Sequence, residues 1–357
     1  MRTLTADELM IKIRQGDIIE KVNLQGISLV GKNLSGGIFK AVDFSETDLS
    51  HSVLKESSFT ECLLEEAIFN SVVCSHTSFE QCNMIRTKFN EGTLNDVMFT
   101  QCALKKALFK ATKQNSCQYS SCDLQCADLN GNELDRLTFI NSSLDHMKLH
   151  NNRFFLVTFF RQDLRKTNFY ISEFIKTVFF ECNQRGQNYQ KQQFQECQFL
   201  NNQLEAANFN GAKLTNCNFK GSGLQNAQLS NVNATQALFI EADLTRACCR
   251  NSLFNQAIFV GACLEQTDFR QSQLQQAIIH KARAISAQFS GCDMSYADLS
   301  YANVNNSDFR SAQFMRTLFH RTQQVEALFS DRQGILENDP ELFAAEEWNI
   351  QQHQHKT

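Results

Sequence analysis

The sequence predicts an all-β solenoid, a four-sided β-helix of about 15 coils with a short α-helix at each end. Large apolar residues recur every fifth position, every twentieth residue tends to be of one type, and helix signals lie outside the repeats. Reading every fifth residue from Leu24 to Phe319 gives 60 positions, of which 54 are Leu, Phe, Met, Tyr, Ile or Val. Two residues earlier lies a column of small residues, with Ala, Cys, Ser, Thr, Gly or Val at 50 of 60 positions.

A period of five residues fits neither an α-helix nor a flat strand. Five helical steps of about 100° leave a residue about 140° from its starting direction, so no apolar stripe forms along a helix. In a strand, an odd period places successive large residues on opposite faces. A chain that turns a corner in every repeat keeps them on one side, and four repeats then close a coil of 20 residues.

Comparing every twentieth residue distinguishes the four walls of such a coil. The wall that contains Phe39, Phe59 and so on to Phe319 holds 12 Phe among 15 central positions, and we call it the Phe wall. The next wall, which begins at Leu24, holds 10 Leu among 15 and is called the Leu wall. The walls that follow, with central residues starting at Leu29 and Leu34, are the third and fourth walls.

Several repeats resemble the bacterial pentapeptide-repeat family, whose unit is A-(D/N)-L-x-x. The clearest are Ala242-Asp243-Leu244, Ala297-Asp298-Leu299 and Ala302-Asn303-Val304. The resemblance covers residues 21–322 and implies a right-handed quadrilateral β-helix with the large and small columns inside. We expect an N-terminal capping helix in residues 1–20, the β-helix in residues 21–322, and a C-terminal helix with a frayed tail in residues 323–357. Asp and Asn before the central residue are expected to stabilise turns.

The N-terminal residues carry the signals of a capping helix. Thr5 and Glu8 form the T-x-x-E pattern of a capping box, with Leu4 and Leu9 in the staple positions. Gly16 is expected to end the helix. Because the open end of a solenoid exposes its apolar interior, we expect this helix to cover the first coil.

A second helix is predicted after the repeats, with Asp339 as its N-cap and Pro340 in its first position. Its large apolar residues Leu342, Phe343 and Trp348 are candidate contacts. They serve either a lid over the last coil or a homodimer about a two-fold axis, and the sequence leaves both open. Residues 351–357 are expected to fray.

The charge is nearly balanced overall, with 34 basic and 38 acidic residues and a formal net charge of -4, so direct nucleic-acid binding is not expected. Its distribution is uneven. Residues 41–66 contain the acids Asp43, Glu46, Asp48, Glu56, Glu61, Glu65 and Glu66 and one base, Lys55. Residues 146–192 are basic, and they form either a solvated face or a candidate partner surface that comprises Lys148, Arg153, Arg161, Arg165, Lys166, Lys176, Arg185 and Lys191.

The small column is interrupted in the middle third of the chain. We expect wider or bulged coils there, and a partner site built on the irregular coils is the alternative. The interrupting residues are Asn132, Leu137, Met147, Asn152, Gln162, Gln187 and Gln192, with Gln114 and Gln184 at nearby central positions.

The 14 cysteines predict packing rather than chemistry. Nine lie in the small inward column, and Cys62, Cys82, Cys102 and Cys122 follow one another at 20-residue spacing. Stacked coils about 4.8 Å apart hold such Cβ atoms farther apart than the roughly 3.5–4.5 Å that a disulfide needs. We therefore expect reduced, buried thiols. The sequence has no CxxC, HExxH, GxSxG or glycine-rich phosphate motif, and its histidines form no ligand set, so we expect no enzyme, metal or cofactor.

Without a catalytic site, the sequence predicts a protein–protein interaction scaffold or adaptor. The segment after the first helix, residues 16–37, also resembles pentapeptide-repeat proteins that accompany type VI secretion components. One alternative is a DNA-mimicking modulator of DNA gyrase or topoisomerase, which the quinolone-resistance branch of the family implies and for which a more acidic chain is expected. A delivered bacterial effector is a further alternative.

The sequence also bears on location. It has no run of 18 apolar residues and no apolar signal core near its N-terminus. We therefore expect no membrane insertion, and either a bacterial cytoplasmic location or delivery by a dedicated machine.

We predict that dithiothreitol changes the free energy of unfolding by less than about 1 kcal/mol, because reduced buried thiols contribute packing and close no loop. Thermal unfolding with and without the reductant measures this. A large loss of stability in the reductant would show that cross-links hold the fold.

Overall fold

The structure is a computed structural model that describes residues 2–354, with side chains for residues 2–349. It is a parallel β-solenoid of about 17 turns with two short helices, which confirms the predicted fold class. The regular repeats supply the 15 coils expected from the sequence. Additional incomplete turns arise because strands pair before and after the repeats, at Ile18–Glu20 and Ile335–Leu336.

The helices are α1 (Ala6–Gln15) and α2 (Pro340–Gln354). The strands, of two or three residues each, are β1 (Arg2–Thr3), β2 (Ile18–Glu20), β3 (Val22–Asn23), β4 (Ile38–Lys40), β5 (Val53–Lys55), β6 (Ser58–Thr60), β7 (Val73–Ser75), β8 (Ser78–Glu80), β9 (Thr93–Asn95), β10 (Met98–Thr100), β11 (Lys113–Asn115), β12 (Gln118–Ser120), β13 (Glu133–Asp135), β14 (Thr138–Ile140), β15 (Arg153–Phe155), β16 (Thr158–Phe160), β17 (Glu173–Ile175), β18 (Val178–Phe180), β19 (Gln193–Gln195), β20 (Gln198–Leu200), β21 (Asp308–Phe309), β22 (Thr317–Leu318), β23 (Leu328–Phe329) and β24 (Ile335–Leu336).

The chain forms two compact units. The first comprises the residues up to Gln187 together with Gln192–Gln198. In it, the even-numbered strands β2–β18 stack in order on the Phe wall, and the odd-numbered strands β5–β19 stack on the fourth wall. The second unit comprises Asn188–Lys191 and the residues from Phe199 onward. Most of its coils are joined by single parallel bridges 20 residues apart, such as Asp243 with Cys263.

The corners explain how a five-residue repeat stays in register. The second residue after almost every central residue adopts a left-handed conformation, for example Glu61 with φ 54° and Glu66 with φ 58°. Such a conformation costs a non-glycine residue roughly 1–2 kcal/mol. The backbone N–H of the same residue donates to the next coil, from Glu61 to the Glu80 carbonyl and from Glu66 to the Ile85 carbonyl, each at 2.9 Å. These hydrogen bonds offset the strain because each contributes about 0.5–1.5 kcal/mol.

Asp and Asn before the central residue stabilise turns, as predicted. Asp43 Oδ1 accepts a hydrogen bond from the backbone N–H of Ser45 at 2.9 Å. Asp308 Oδ1 accepts one from the N–H of Arg310 at 2.9 Å, and the Arg310 guanidinium also contacts this carboxylate. These hydrogen bonds, led by those of the guanidinium, lower the pKa of Asp308 to about 2.

The large column forms the core. Its Phe side chains up to Phe309 are buried and stack from coil to coil, with the ring centroids of Phe79 and Phe99 5.1 Å apart and their planes 6° from parallel. The small column packs beside it, and Cys82 Sγ donates to the Phe59 carbonyl at 3.4 Å. The 14 cysteines are free thiols, and among them Cys126 is exposed.

The bulges expected in the middle third are absent from β11–β19, so this expectation was wrong. The strands there keep a spacing of 20 residues, as in the pairing of Phe154 with Phe174. The larger amide residues are accommodated because their side chains hydrogen-bond to backbone groups, whereas Leu137 and Met147 are buried as apolar side chains. The N–H of Asn132 donates to Asn152 Oδ1 at 2.7 Å, and the N–H of Thr112 donates to Asn132 Oδ1 at 3.1 Å. Asn132 and Asn152 thus form a hydrogen-bonded ladder inside the coil.

The first helix follows its sequence signals. Thr5 and Glu8 form the capping box, and Gly16 ends α1 with φ 75°. Leu4 and Leu9 are buried.

The second helix begins at Pro340, and Asp339 Oδ1 accepts the N–H of Leu342 at 2.9 Å. It continues to Gln354, so residues 351–354 are helical where fraying was expected, and residues 355–357 lie outside the described residues. Neither helix, across residues 2–354, has the length and apolar character needed to cross a bilayer.

We predict that Asp308→Asn lowers stability at neutral pH by no more than about 2 kcal/mol, because the amide keeps the turn but loses the charged pair with Arg310. Since the folded-state pKa is depressed to about 2, this contribution is present above the unfolded pKa and is lost as the pH falls through the folded value. Urea unfolding of both proteins at several pH values measures the difference. A difference that stays constant down to pH 2 would contradict the assigned pair.

Candidate protein-interaction surface

Outward positions on the Phe wall become apolar in three successive turns of the first unit. The residues that follow the central Phe there are Ile140, Phe160 and Phe180, and the pairing of β14, β16 and β18 places them in register. The outward rings of Phe160 and Phe180 lie parallel, with their centroids 5.5 Å apart. All three side chains are half-buried, so their outer edges contact solvent.

The apolar side chains continue around the corner onto the fourth wall. Strands β15 and β17 pair Phe155 with Ile175 at the same outward position. Leu156, the corner residue, is 38% exposed, and Val178 occupies the outward position at the start of β18. We name this set the outer apolar strip, and it comprises Ile140, Phe155, Leu156, Phe160, Ile175, Val178 and Phe180.

An ion pair between successive coils borders the strip on each side. Arg153 Nε lies 3.4 Å from Glu173 Oε2 on the fourth-wall side. Arg161 Nε donates to Glu181 Oε2 at 2.7 Å on the Phe-wall side. Both pairs are exposed, so each contributes little to folding and remains available for exchange.

The same two arginines also contact the strip. The Arg161 guanidinium carbon lies 4.9 Å from the centroid of the Phe160 ring, and that of Arg153 lies 5.8 Å from the Phe155 ring. Cation–π contacts of this kind hold a guanidinium beside an aromatic surface. The strip is therefore an apolar surface edged by oriented cations.

The eight basic residues predicted as a partner surface do not form one surface. The four-walled coil places Arg165 and Arg185 on the Leu wall, Lys148 on the third wall and Arg153 on the fourth, while Arg161, Lys166, Lys176 and Lys191 lie at four different corners. At least six of them pair with carboxylates: Lys148 with Asp128 at 3.6 Å, Arg153 with Glu173, Arg161 with Glu181, Arg165 with Asp163 at 2.6 Å, Lys166 with Asp145 at 3.0 Å, and Lys176 with Glu196 at 3.6 Å. Clustering in sequence does not give clustering in space, because 20 residues encircle the coil.

The acidic segment of residues 41–66 is partly neutralised in the same way. Arg86 contacts Glu65 and Glu66, each at 2.7 Å. Arg86 thus offsets two of the carboxylates of this segment.

The outer apolar strip was not predicted from the sequence. A signal was present, because three repeats carry a second Phe directly after the central one: Phe154-Phe155, Phe159-Phe160 and Phe179-Phe180. Every other residue of a strand points outward, so the second Phe of each pair cannot join the core.

The candidate C-terminal contacts lie in different surroundings. Phe343 packs under Arg321, whose guanidinium carbon is 4.1 Å from the ring centroid. Leu342 and Trp348 are 47% and 64% exposed. The last coils also leave Val325, Leu328 and Leu336 exposed, so the described part of α2 does not cover them as a lid would.

Polar contacts attach α2 to the second unit. The Glu346 carboxylate accepts hydrogen bonds from Tyr301 Oη and Arg321 Nε, and its Oε2 lies 3.2 Å from His320 Nε2. These bonds, chiefly the one from Tyr301, hold the pKa of Glu346 at about 2. Through residues 2–354, no three His, Cys, Asp or Glu side chains gather as metal ligands would.

Stacked walls with a continuous interior and functional groups on outward positions define a parallel β-solenoid of the repeat class. The family model described as "Pentapeptide repeats (8 copies)" matches residues 20–55, 191–221, 222–259 and 287–322, and the one described as "Pentapeptide repeat region" matches residues 52–116. Together they cover more than half of the sequence, and the chain belongs to the pentapeptide-repeat family.

Solved structures of similar fold include HetL, a pentapeptide-repeat protein involved in heterocyst differentiation regulation from the cyanobacterium Nostoc sp. strain PCC 7120. It is 16% identical, the match covers 88% of this chain and 96% of HetL, and the TM-score is 0.20. Another is full-length QnrB1, a plasmid-mediated fluoroquinolone resistance protein, which is 17% identical, with 59% and 95% of the two chains covered and a TM-score of 0.27. Neither likeness bears on the function of this chain. None of the curated proteins matches it.

We predict opposite outcomes for two adjacent Phe substitutions in β16. Phe159→Ser removes a fully buried ring and is expected to cost at least about 3 kcal/mol. Phe160→Ser removes an outward ring and is expected to cost no more than about 1.5 kcal/mol, the upper value of an aromatic pair. Urea unfolding followed by circular dichroism measures both. Equal losses would mean that the outward ring is part of the structural core.

Proposed function

We propose that this protein is a non-catalytic scaffold that binds another protein through the outer apolar strip. The observation that carries the proposal is the parallel pair of outward aromatic rings, Phe160 and Phe180, on a wall whose Phe residues otherwise occupy the inward central column. Their burial is not needed to close the coil, because Phe159 and Phe179 already fill the interior. Aromatic residues and arginine are the side chains that most often dominate binding at protein interfaces.

The edges of the strip indicate the chemistry of the partner. Arg153 and Arg161 contact Glu173 and Glu181 through Nε, which leaves the terminal guanidinium nitrogens directed away from those bonds. A guanidinium binds carboxylates through such parallel N–H groups. The partner that fits is a protein segment that presents apolar side chains to the strip and carboxylates to the two arginines.

Fewer observations support the other functions that the sequence suggests. A DNA-mimicking modulator of topoisomerase calls for a continuous negative surface, whereas carboxylates here pair with bases from coil to coil, as in Lys148 with Asp128. A role beside secretion components or as a delivered effector remains a prediction from the sequence. A homodimer through α2 is supported by the exposed side chains of Leu342 and Trp348 and remains a prediction as well.

The test compares proteins captured from native cells by the full chain and by the double variant Phe160→Ser/Phe180→Ser. Loss of an aromatic anchor costs about 2 kcal/mol or more, so the affinity for the partner is expected to fall roughly thirtyfold.

The matched control is Ile258→Ser/Ile278→Ser, which removes two stacked outward side chains from the Phe wall of the second unit. Binding that survives in this control but is lost in the Phe variant supports the strip. The same captured proteins in equal amounts with both variants would refute it. Supercoiling by gyrase that changes equally with wild type and the Phe variant would favour the topoisomerase alternative.

A further inference from the structure

Three donors from the coils of the second unit converge on one carboxylate of α2. Tyr301 Oη donates to Glu346 Oε1, while Arg321 Nε and His320 Nε2 contact Oε2. Beside them, Arg321 Nη2 donates to Glu347 Oε1 at 2.7 Å. The arrangement satisfies both oxygens of Glu346, as a receptor for a carboxylate must.

The coils, together with the N-cap residue of α2, hold the donors in place. His320 is only 4% exposed, and its Nδ1 accepts the backbone N–H of Asp339 at 3.3 Å. This bond leaves Nε2 to carry the hydrogen that points at the carboxylate. The Tyr301 ring packs edge-on between His280 and His320, with centroid distances of 5.1 Å and 5.4 Å. The site is therefore built from successive coils.

The groove around these donors is basic. It is lined by His280, Lys281, Tyr301 and Arg321 together with Glu346 and Asn349 of the helix. Lys281 Nζ lies 5.8 Å from the centroid of the Tyr301 ring. Apart from Glu346, this lining contributes no acidic group, so the groove attracts negative charge.

By contrast, α2 has little apolar attachment. None of residues 340–349 is buried, and Leu342 and Trp348 project into solvent. Phe343 is the one large apolar side chain of this segment that packs on the coils, against Arg321. Partly exposed ion pairs contribute modestly and are weakened by salt. A few polar contacts consequently hold the helix on the coils. The helix can detach when these contacts break, because no buried apolar residue is exposed.

We propose that Tyr301, His320 and Arg321 form a carboxylate-binding site, that α2 fills this site with Glu346 as a detachable strap, and that an acidic helical segment of a partner protein binds there when α2 is displaced. The occupant in the structure defines the ligand chemistry: a glutamate followed by a second glutamate, on a helix. Tethering gives α2 an effective concentration of the order of millimolar at the site. A partner must therefore bind with enough affinity to displace α2 at that concentration. The proposal does not depend on the outer apolar strip, which lies in the other unit.

Attachment of α2 can be followed directly because Trp348 is the single tryptophan of the chain and lies on this helix. Its fluorescence anisotropy is expected to fall in the full-length variant Glu346→Gln/Glu347→Gln and in Arg321→Ala. Glu341→Gln is the matched control, because this acid lies on the same helix and is exposed. Raising the ionic strength from about 0.01 M to about 1 M shortens the screening length from about 30 Å to about 3 Å and should release α2 in the wild type. Unchanged anisotropy in the double Gln variant would overturn the strap.

The binding site is tested with a fluorescein-labelled peptide of the sequence Pro340–Gln354 as the probe. It is expected to bind the full-length Glu346→Gln/Glu347→Gln variant at least about tenfold more tightly than the wild type, whose own α2 competes. Adding Arg321→Ala to that variant should abolish binding, and a peptide with Gln in place of both glutamates should not bind. Circular dichroism melting checks that each variant folds. Equal affinity for wild type and variant, no binding to the folded variant, or binding that persists without Arg321 would each refute the site.

Loss of partner capture in Phe160→Ser/Phe180→Ser leaves peptide binding at Arg321 unaffected. The failure of either proposal is therefore distinguishable from the failure of the other.

Discussion

Every other feature of this protein depends on the corner that the backbone turns in each repeat. A non-glycine residue such as Glu61 accepts a left-handed conformation there because its N–H bonds to the next coil. The bend keeps successive central residues on the inside, although their spacing of five would alternate them in a straight strand. The strained left-handed conformation and the coil-to-coil hydrogen bond therefore occur together, and both require the neighbouring coil.

Because the corners are regular, the spacing of two residues in the sequence determines their relative positions in the solenoid. Residues 20 apart stack, so any side chain repeated at that spacing forms a ladder, whether it is the buried pair Phe79 and Phe99 or the outward pair Phe160 and Phe180. Even the amides that interrupt the small column follow this rule, since Asn132 and Asn152 bond in line with the coil axis and not across it. The fold therefore tolerates polar side chains inside where they find partners, as Asn132 does with the Phe109 carbonyl one coil away and the Leu129 carbonyl of its own coil.

Both proposed binding sites lie where the chain departs from its repeat. In the outer apolar strip, the outward apolar residues are not needed to close the coil, and nearby arginines are oriented over two of their rings. At the C-terminal end, the coils present Tyr301, His320 and Arg321 to a helix that contributes little packing of its own. A scaffold whose interior is already complete is free to use these surfaces for recognition, because changes there do not disturb the core.

The sequence by itself determined the solenoid, its four walls and the burial of the central column, because a periodic pattern specifies local geometry at every repeat. It also carried the doubled Phe residues of the strip, once their outward direction is recognised. It could not determine that bases such as Lys148 and Arg161 pair with carboxylates, since pairing depends on how far long side chains reach between coils. Nor could it reveal the contact of Tyr301 with Glu346, 45 residues away, because no periodicity relates the repeats to α2. Only tertiary structure brings together groups that no repeat relates.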